Sequence, residues 1–108
     1  MADHLGSFDL LVLLALLRLE EGNAYGVTVS TEIEQTTGRA VALATVYATL
    51  ERLEDRGLVS SRLGESTAQR GGRAKRHFCV TTNGVRQVRE AKGGLVKMWR
   101  GIRQLQEA

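Results

Sequence analysis

The chain has 108 residues, 43% of them hydrophobic, and a net charge of +3 with a pI near 9.5. Its size predicts one domain of modest core, which dimerisation would help to stabilise. The hydrophobic content excludes a disordered chain, and a single cysteine, Cys79, excludes a disulfide scaffold. A lone cysteine is typical of a reducing compartment, so we expect a cytoplasmic protein.

Three helices are predicted in the first half of the chain. The apolar run from Ser7 to Glu21 predicts a buried helix. It contains Arg18 and is shorter than the about 20 apolar residues that a membrane span needs, so no membrane is expected as a partner. A weaker apolar stripe predicts a second helix over Tyr25–Thr37, and Leu and Val at helical spacing predict a third over Leu43–Arg56.

The third helix has a face that lies off its apolar stripe. We expect the residues of that face to point outward: Thr45, Ala48, Thr49 and Arg52. Threonine can hydrogen-bond a base edge or contact the thymine methyl group, and arginine can bind guanine or phosphate. A surface ion pair between Arg52 and nearby Asp55 is the alternative interpretation. Tyr25 and Tyr47 would donate to phosphates, or pack in the core with their hydroxyls at the surface.

A β-hairpin with a long basic loop follows. The predicted strands are Leu58–Leu63 and Lys75–Thr81, and the loop between them is rich in Gly and Arg. Its cations would contact phosphates, and its glycine pair would let the backbone approach them. The residues expected to do so are Arg70, Gly71, Gly72, Arg73, Lys75 and Arg76. A solvated hairpin tip without a partner is the alternative.

A single long helix is predicted over Thr82–Gln106. Its domain offers it too little surface to pack on, so we expect a second copy of the chain to cover its apolar face. Trp99 could pack in that interface or face a small aromatic effector. The expected interface residues are Val88, Leu95, Trp99, Ile102 and Leu105. Gly93 and Gly94, in mid-helix, would mark a bend or a close approach between helices.

The order of elements predicts a mainly α fold with a small β-hairpin. Three helices and a hairpin make a winged helix-turn-helix, whose third helix enters the DNA major groove. Residues 1–81 would form this DNA-binding domain, and residues 82–108 a C-terminal dimerisation helix. Double-stranded DNA and a second copy of the chain are the expected partners.

Four parts of the chain resemble the PadR-type transcriptional regulators: the single helix after the hairpin, which is similar to that of the short-tailed members, and three shorter stretches. These stretches are "AYGVTV", "ATVYATLERLEDRGLV" and "GGRAKRHFCVTTNG". The first is similar to the family's Tyr-Gly opening of the second helix. Ala48 departs from the pattern, because the family usually has proline there. The resemblance implies a homodimer that represses promoters at a pseudo-palindromic operator, in some members until a small aromatic molecule binds.

Other function classes have little support in the sequence. His77 and Cys79 lie two residues apart, but a zinc site needs four ligands, so neither a metal nor a cofactor is expected. No nucleophile has a base beside it in a recognisable motif, and we expect no enzyme activity. The remaining alternatives are a winged-helix module that binds proteins and a scaffold that binds small molecules without binding DNA.

Overall fold

The computed structural model describes residues 5–20, 22–64 and 75–106. It contains four α-helices, a two-stranded antiparallel hairpin and a short 3-10 turn, which confirms the predicted fold class. In chain order these elements are α1 (Ser7–Arg18), α2 (Gly26–Thr37), α3 (Leu43–Asp55), β1 (Val59–Leu63), β2 (Arg76–Val80), α4 (Thr82–Trp99) and the 3-10 turn (Arg103–Leu105).

The core lies between the first three helices and one face of the hairpin. Val12 and Leu13 of α1, Val29 of α2 and Leu50 of α3 are fully buried there. Phe78 of β2 closes the core on the hairpin side, and its backbone N–H donates to the carbonyl of Ala24 at 2.8 Å. The hairpin is therefore fixed both to the helices and to the connection between α1 and α2.

Close backbone packing joins α4 to the end of α3. Thr81 caps α4, because its Oγ1 accepts from the N–H of Gly84 at 3.0 Å and donates to the carbonyl of Gly57 at 2.7 Å. A Cβ atom at Gly84 would lie 2.2 Å from the carbonyl oxygen of Leu58. Only glycine allows α4 to start this close to the hairpin.

The predicted extent of the last helix is wrong. α4 ends at Trp99 instead of Gln106, and Gly101 then adopts a φ of 79°, in the left-handed region that favours glycine. Ile102 and Leu105 therefore lie beyond the helix. α4 runs through Gly93 and Gly94, and a Cβ at either residue would meet no atom within 4 Å. Within the described part of this chain, no other element approaches these glycines closely.

Candidate nucleic-acid interface

Small side chains form the exposed face of the first half of α3. Thr45 and Ala48 are exposed, as predicted, and they border an open recess of about 410 Å³. Arg39, in the turn between α2 and α3, and Arg52 line the same recess. A base edge or a sugar–phosphate backbone can come close to this part of α3, because Thr45 and Ala48 are small and exposed.

The prediction that Thr49 faces outward is wrong. Thr49 is only 2% exposed and is one of two buried polar residues among those described. It stands three residues after Val46 and four before Leu53, and both of these are fully buried. Residues at this spacing share a helix face, so Thr49 widens the buried stripe that α1 and α2 cover. Thr49 still lines the recess over Thr45, but almost none of its surface is accessible there.

Arg52 is held by a partner that the sequence did not indicate. Its Nη2 donates to Oδ1 of Asp9 at 2.6 Å, and Nη1 of Arg56 lies 3.7 Å from Oδ2 of the same carboxylate. The ion pair of Arg52 therefore forms with Asp9, not with Asp55 as the alternative interpretation had it, and it joins α3 to α1. Asp9 is buried, and such a carboxylate is stable only when cations and donors compensate it. The Arg52 side chain stays 54% exposed, so it can also bind an external anion.

Tyr25 and Lys75 come together at the base of the hairpin. Lys75 Nζ donates to the Tyr25 hydroxyl at 3.0 Å and lies 4.1 Å from the centre of its ring. The ring of His77 also lies beside Tyr25, with 5.7 Å between the ring centres. A tyrosine hydroxyl that accepts from lysine keeps its own proton to donate. The cluster is thus equipped to bind phosphate, and Arg76 beside it is exposed.

Tyr47 explains why glycine follows Tyr25. A Cβ at Gly26 would lie 2.3 Å from Cζ of Tyr47, so the ring rests directly on the start of α2. Tyr47 is still 40% exposed. Tyr47 thus packs against α2 and also reaches the surface. Its ring helps to fix the angle between α2 and α3. The remaining predicted loop residues, Arg70, Gly71, Gly72 and Arg73, lie outside the described residues.

Apolar side chains that nothing covers lie on α1 and on the second half of α4. Leu95 is 60% exposed and Trp99 58%, and Leu14 and Leu17 of α1 are also exposed. Val88 differs from the other predicted interface residues, because it packs against the core of its own chain. No helix in the described part of the chain is long and apolar enough to cross a membrane.

Comparison with known proteins identifies the family to which the chain belongs. The family model of the transcriptional regulator PadR-like family matches residues 13–90, which is most of the chain. The chain belongs to the PadR-like family. It is therefore a DNA-binding transcriptional regulator, and the resemblance found in the sequence is confirmed. No curated protein sequence matches the chain.

Solved structures of transcriptional regulators share the fold over nearly the whole chain. A transcriptional regulator from Clostridium thermocellum is 23% identical, with 92% of each chain covered and a TM-score of 0.71. A PadR family regulator from Eggerthella lenta is 26% identical, with 88% of this chain and 80% of that one covered and a TM-score of 0.69. A PadR-like regulator from Bacillus cereus is 22% identical, with 93% of each chain covered and a TM-score of 0.69.

One residue of the candidate interface, Arg39, was not predicted from the sequence. Arg39 is exposed, and its N–H donates to Thr37 Oγ1 at 3.1 Å just after α2 ends. The recess over Thr45 includes it. The signal that could have found it is its place as the one cation in the turn that leads into α3.

Proposed function

We propose that this PadR-like chain acts as a homodimer that represses transcription at a pseudo-palindromic operator. The α3 helices enter successive major grooves about one helical turn apart, and the hairpins contact the flanking phosphates. The observation that carries this proposal is the recess over Thr45 and Ala48, which Arg39 and Arg52 also line. Small side chains allow DNA to approach α3 closely, and the two arginines can bind its phosphates.

The composition of the α3 face favours shape over base readout. Thr45 is its one small hydroxyl side chain aimed outward, and Ala48 offers only a methyl group. Arg39 and Arg52 add charge that neutralises phosphates in any sequence. Sequence preference then depends to a large degree on the shape and deformability of the operator.

The uncovered apolar residues support the dimer. The second half of α4 extends beyond the core with Leu95 and Trp99 exposed, and α1 presents Leu14 and Leu17. Burying this surface against a second copy would remove it from water, at about 25 cal/mol for each Å² of apolar area. Ile102 and Leu105, on the segment after α4, are also exposed.

Trp99 is the residue through which an effector would act. It is the single tryptophan of the chain, and more than half of its surface is free. In the dimer it packs against the partner, and a flat aromatic molecule stacked beside it would alter the spacing of the two α3 helices. An aromatic effector would therefore quench Trp99 fluorescence and lower operator affinity together.

Fluorescence anisotropy tests the proposed function. DNA from upstream of the protein's own gene is compared with a scrambled duplex at two salt concentrations. We expect tight binding to the first duplex that weakens steeply with salt, and a loss of affinity in the Thr45→Ala and Arg39→Ala variants. Equal, weak binding to both duplexes in wild type would contradict operator recognition. Quenching of Trp99 without any change in DNA affinity would instead favour the small-molecule scaffold.

A further inference from the structure

A basic stripe runs along α4 on the side opposite its apolar residues. Residues three and four apart share one face of a helix, and the spacing from 86 to 89, 93, 97 and 100 follows that rule. All the cations of the stripe and its border lie outside the core, and Glu90 is the single acid of the helix. These cations are Arg86, Arg89, Lys92, Lys97 and Arg100.

Gly93 forms a notch at the centre of this stripe. An open recess of about 400 Å³ lies over it, lined by Arg89, Lys92, Val96, Lys97 and Arg100. A Cβ at Gly93 would have no atom within 4 Å, so packing does not explain the glycine. Glycine also weakens a helix interior relative to alanine. Gly93 instead leaves a gap on the surface of α4, and a ligand can approach the helix there between four cations.

Within the described part of the chain, no ion pair compensates the charge around the notch. Arg18 pairs with Glu32, and Arg52 and Arg56 pair with Asp9. Among the described residues, no carboxylate forms an ion pair with any of the four cations that line the notch. Like charges held together on a rigid helix attract a polyanion strongly.

We propose that this stripe binds the sugar–phosphate backbone of a second segment of nucleic acid. The stretch from Arg86 to Arg100 extends over about 21 Å, at about 1.5 Å of helix rise per residue. Duplex DNA carries one negative charge per about 1.7 Å of axis, so several phosphates fall within this length. The recess over Gly93 shares no residue with the recess over Thr45. The site therefore goes beyond the proposed operator contact and can be tested apart from it.

The other anionic partners fit the stripe less well. A helix that lies in a membrane buries its apolar face in lipid, but Val88 and Ala91 of α4 already pack against the protein core. Protein interfaces have apolar, often aromatic centres, and Val96 is the one apolar side chain in the recess. Arginine guanidinium groups, in contrast, match phosphate oxygens in pairs.

A matched pair of glutamate substitutions tests the site. Gly93→Glu puts a carboxylate among the four cations, and Gly94→Glu makes the same change of net charge one residue away, outside the recess. Binding is measured by anisotropy on a duplex several times longer than one operator, over a range of salt. We expect Gly93→Glu to weaken binding and to flatten the plot of log K against log salt by about 0.9 for each phosphate that the protein no longer neutralises. Gly94→Glu should bind as wild type does.

Two further variants keep the result interpretable. Arg89→Gln combined with Arg100→Gln should reproduce the effect of Gly93→Glu, and circular dichroism confirms that each variant folds. Equal DNA binding by Gly93→Glu and Gly94→Glu would overturn the proposal. The proposal would also be overturned if Gly93→Glu bound DNA as wild type does but lost binding to anionic phospholipid vesicles. Lys75→Ala with Arg76→Ala separates the two sites. If this variant loses DNA binding and the α4 variants do not, the α4 site is refuted and the operator contact is supported. If the α4 variants lose DNA binding and this variant does not, only the α4 site is supported.

Discussion

Replacing Arg52 by alanine should reduce both stability and DNA binding, for different reasons. The substitution removes a charge-assisted hydrogen bond of 2.6 Å and leaves Asp9 buried, with Arg56 at 3.7 Å as its remaining cationic partner. A hydrogen bond to a charged group contributes about 1.5–3 kcal/mol. Because the Arg52 side chain is 54% exposed, water screens part of this energy, and we expect a loss of about 1–2 kcal/mol.

Arg39→Ala is the matched control for this prediction. Arg39 lines the same recess, but no carboxylate among the described residues pairs with it. Its removal should change the free energy of unfolding by less than about 0.5 kcal/mol, while operator affinity falls. Urea denaturation measures stability, and anisotropy measures binding, in both variants.

The double variant completes the test. If Asp9 and Arg52 stabilise each other, Asp9→Asn should cost less in the Arg52→Ala background than in wild type. A loss of stability in Arg52→Ala no larger than in Arg39→Ala would refute the conclusion that the ion pair holds α1 to α3. Additive costs of the two substitutions would refute it as well.

Three further predictions concern packing, assembly and pH. Gly26→Ala should destabilise the fold by about 1–3 kcal/mol in thermal unfolding, because the new methyl group meets the Tyr47 ring; the cost should shrink in the Tyr47→Ala background. Leu95→Glu should sediment as a folded monomer, because this side chain is 60% exposed and outside the core; a stable dimer would exclude α4 from the interface. Hydrogen bonds from Arg18 and Thr36 hold the pKa of Glu32 below 4.5, so its contribution to stability is present above pH 4.5 and is lost as the pH falls through the lowered pKa. At pH 7, Glu32→Gln should therefore unfold at a lower urea concentration than wild type does. In acid the two urea midpoints should become equal.

Periodicity predicted the fold because the helices and the hairpin bury their faces in regular patterns. The start of α3 at Leu43 and the strand from Val59 to Leu63 agree with the predictions to within a residue. Periodicity failed at Gly101, where the apolar spacing of the last helix continues but a backbone with positive φ ends the helix. Apolar spacing in the sequence does not reveal a change in backbone direction.

Details of the candidate interface depended on contacts between distant residues. The width of the buried stripe on α3 depends on the packing of α1 and α2 against it, and Thr49 is buried there. Asp9 is 43 residues away from Arg52, and only the packed structure brings them together. A cation that sequence spacing places on an exposed helix face can still be held by an acid that the same spacing does not reveal.

The pairing of cations separates structural from ligand-binding charge in this chain. Arg18 and Arg52 have carboxylate partners on neighbouring helices, so part of their effect on any assay passes through stability. The cations around Gly93 have none among the described residues, so their removal breaks no ion pair described there and relieves repulsion among them. A variant that neutralises these cations should therefore fold at least as stably as wild type while it binds polyanions less well. A fall in its stability would show that this charge serves the fold instead of a partner.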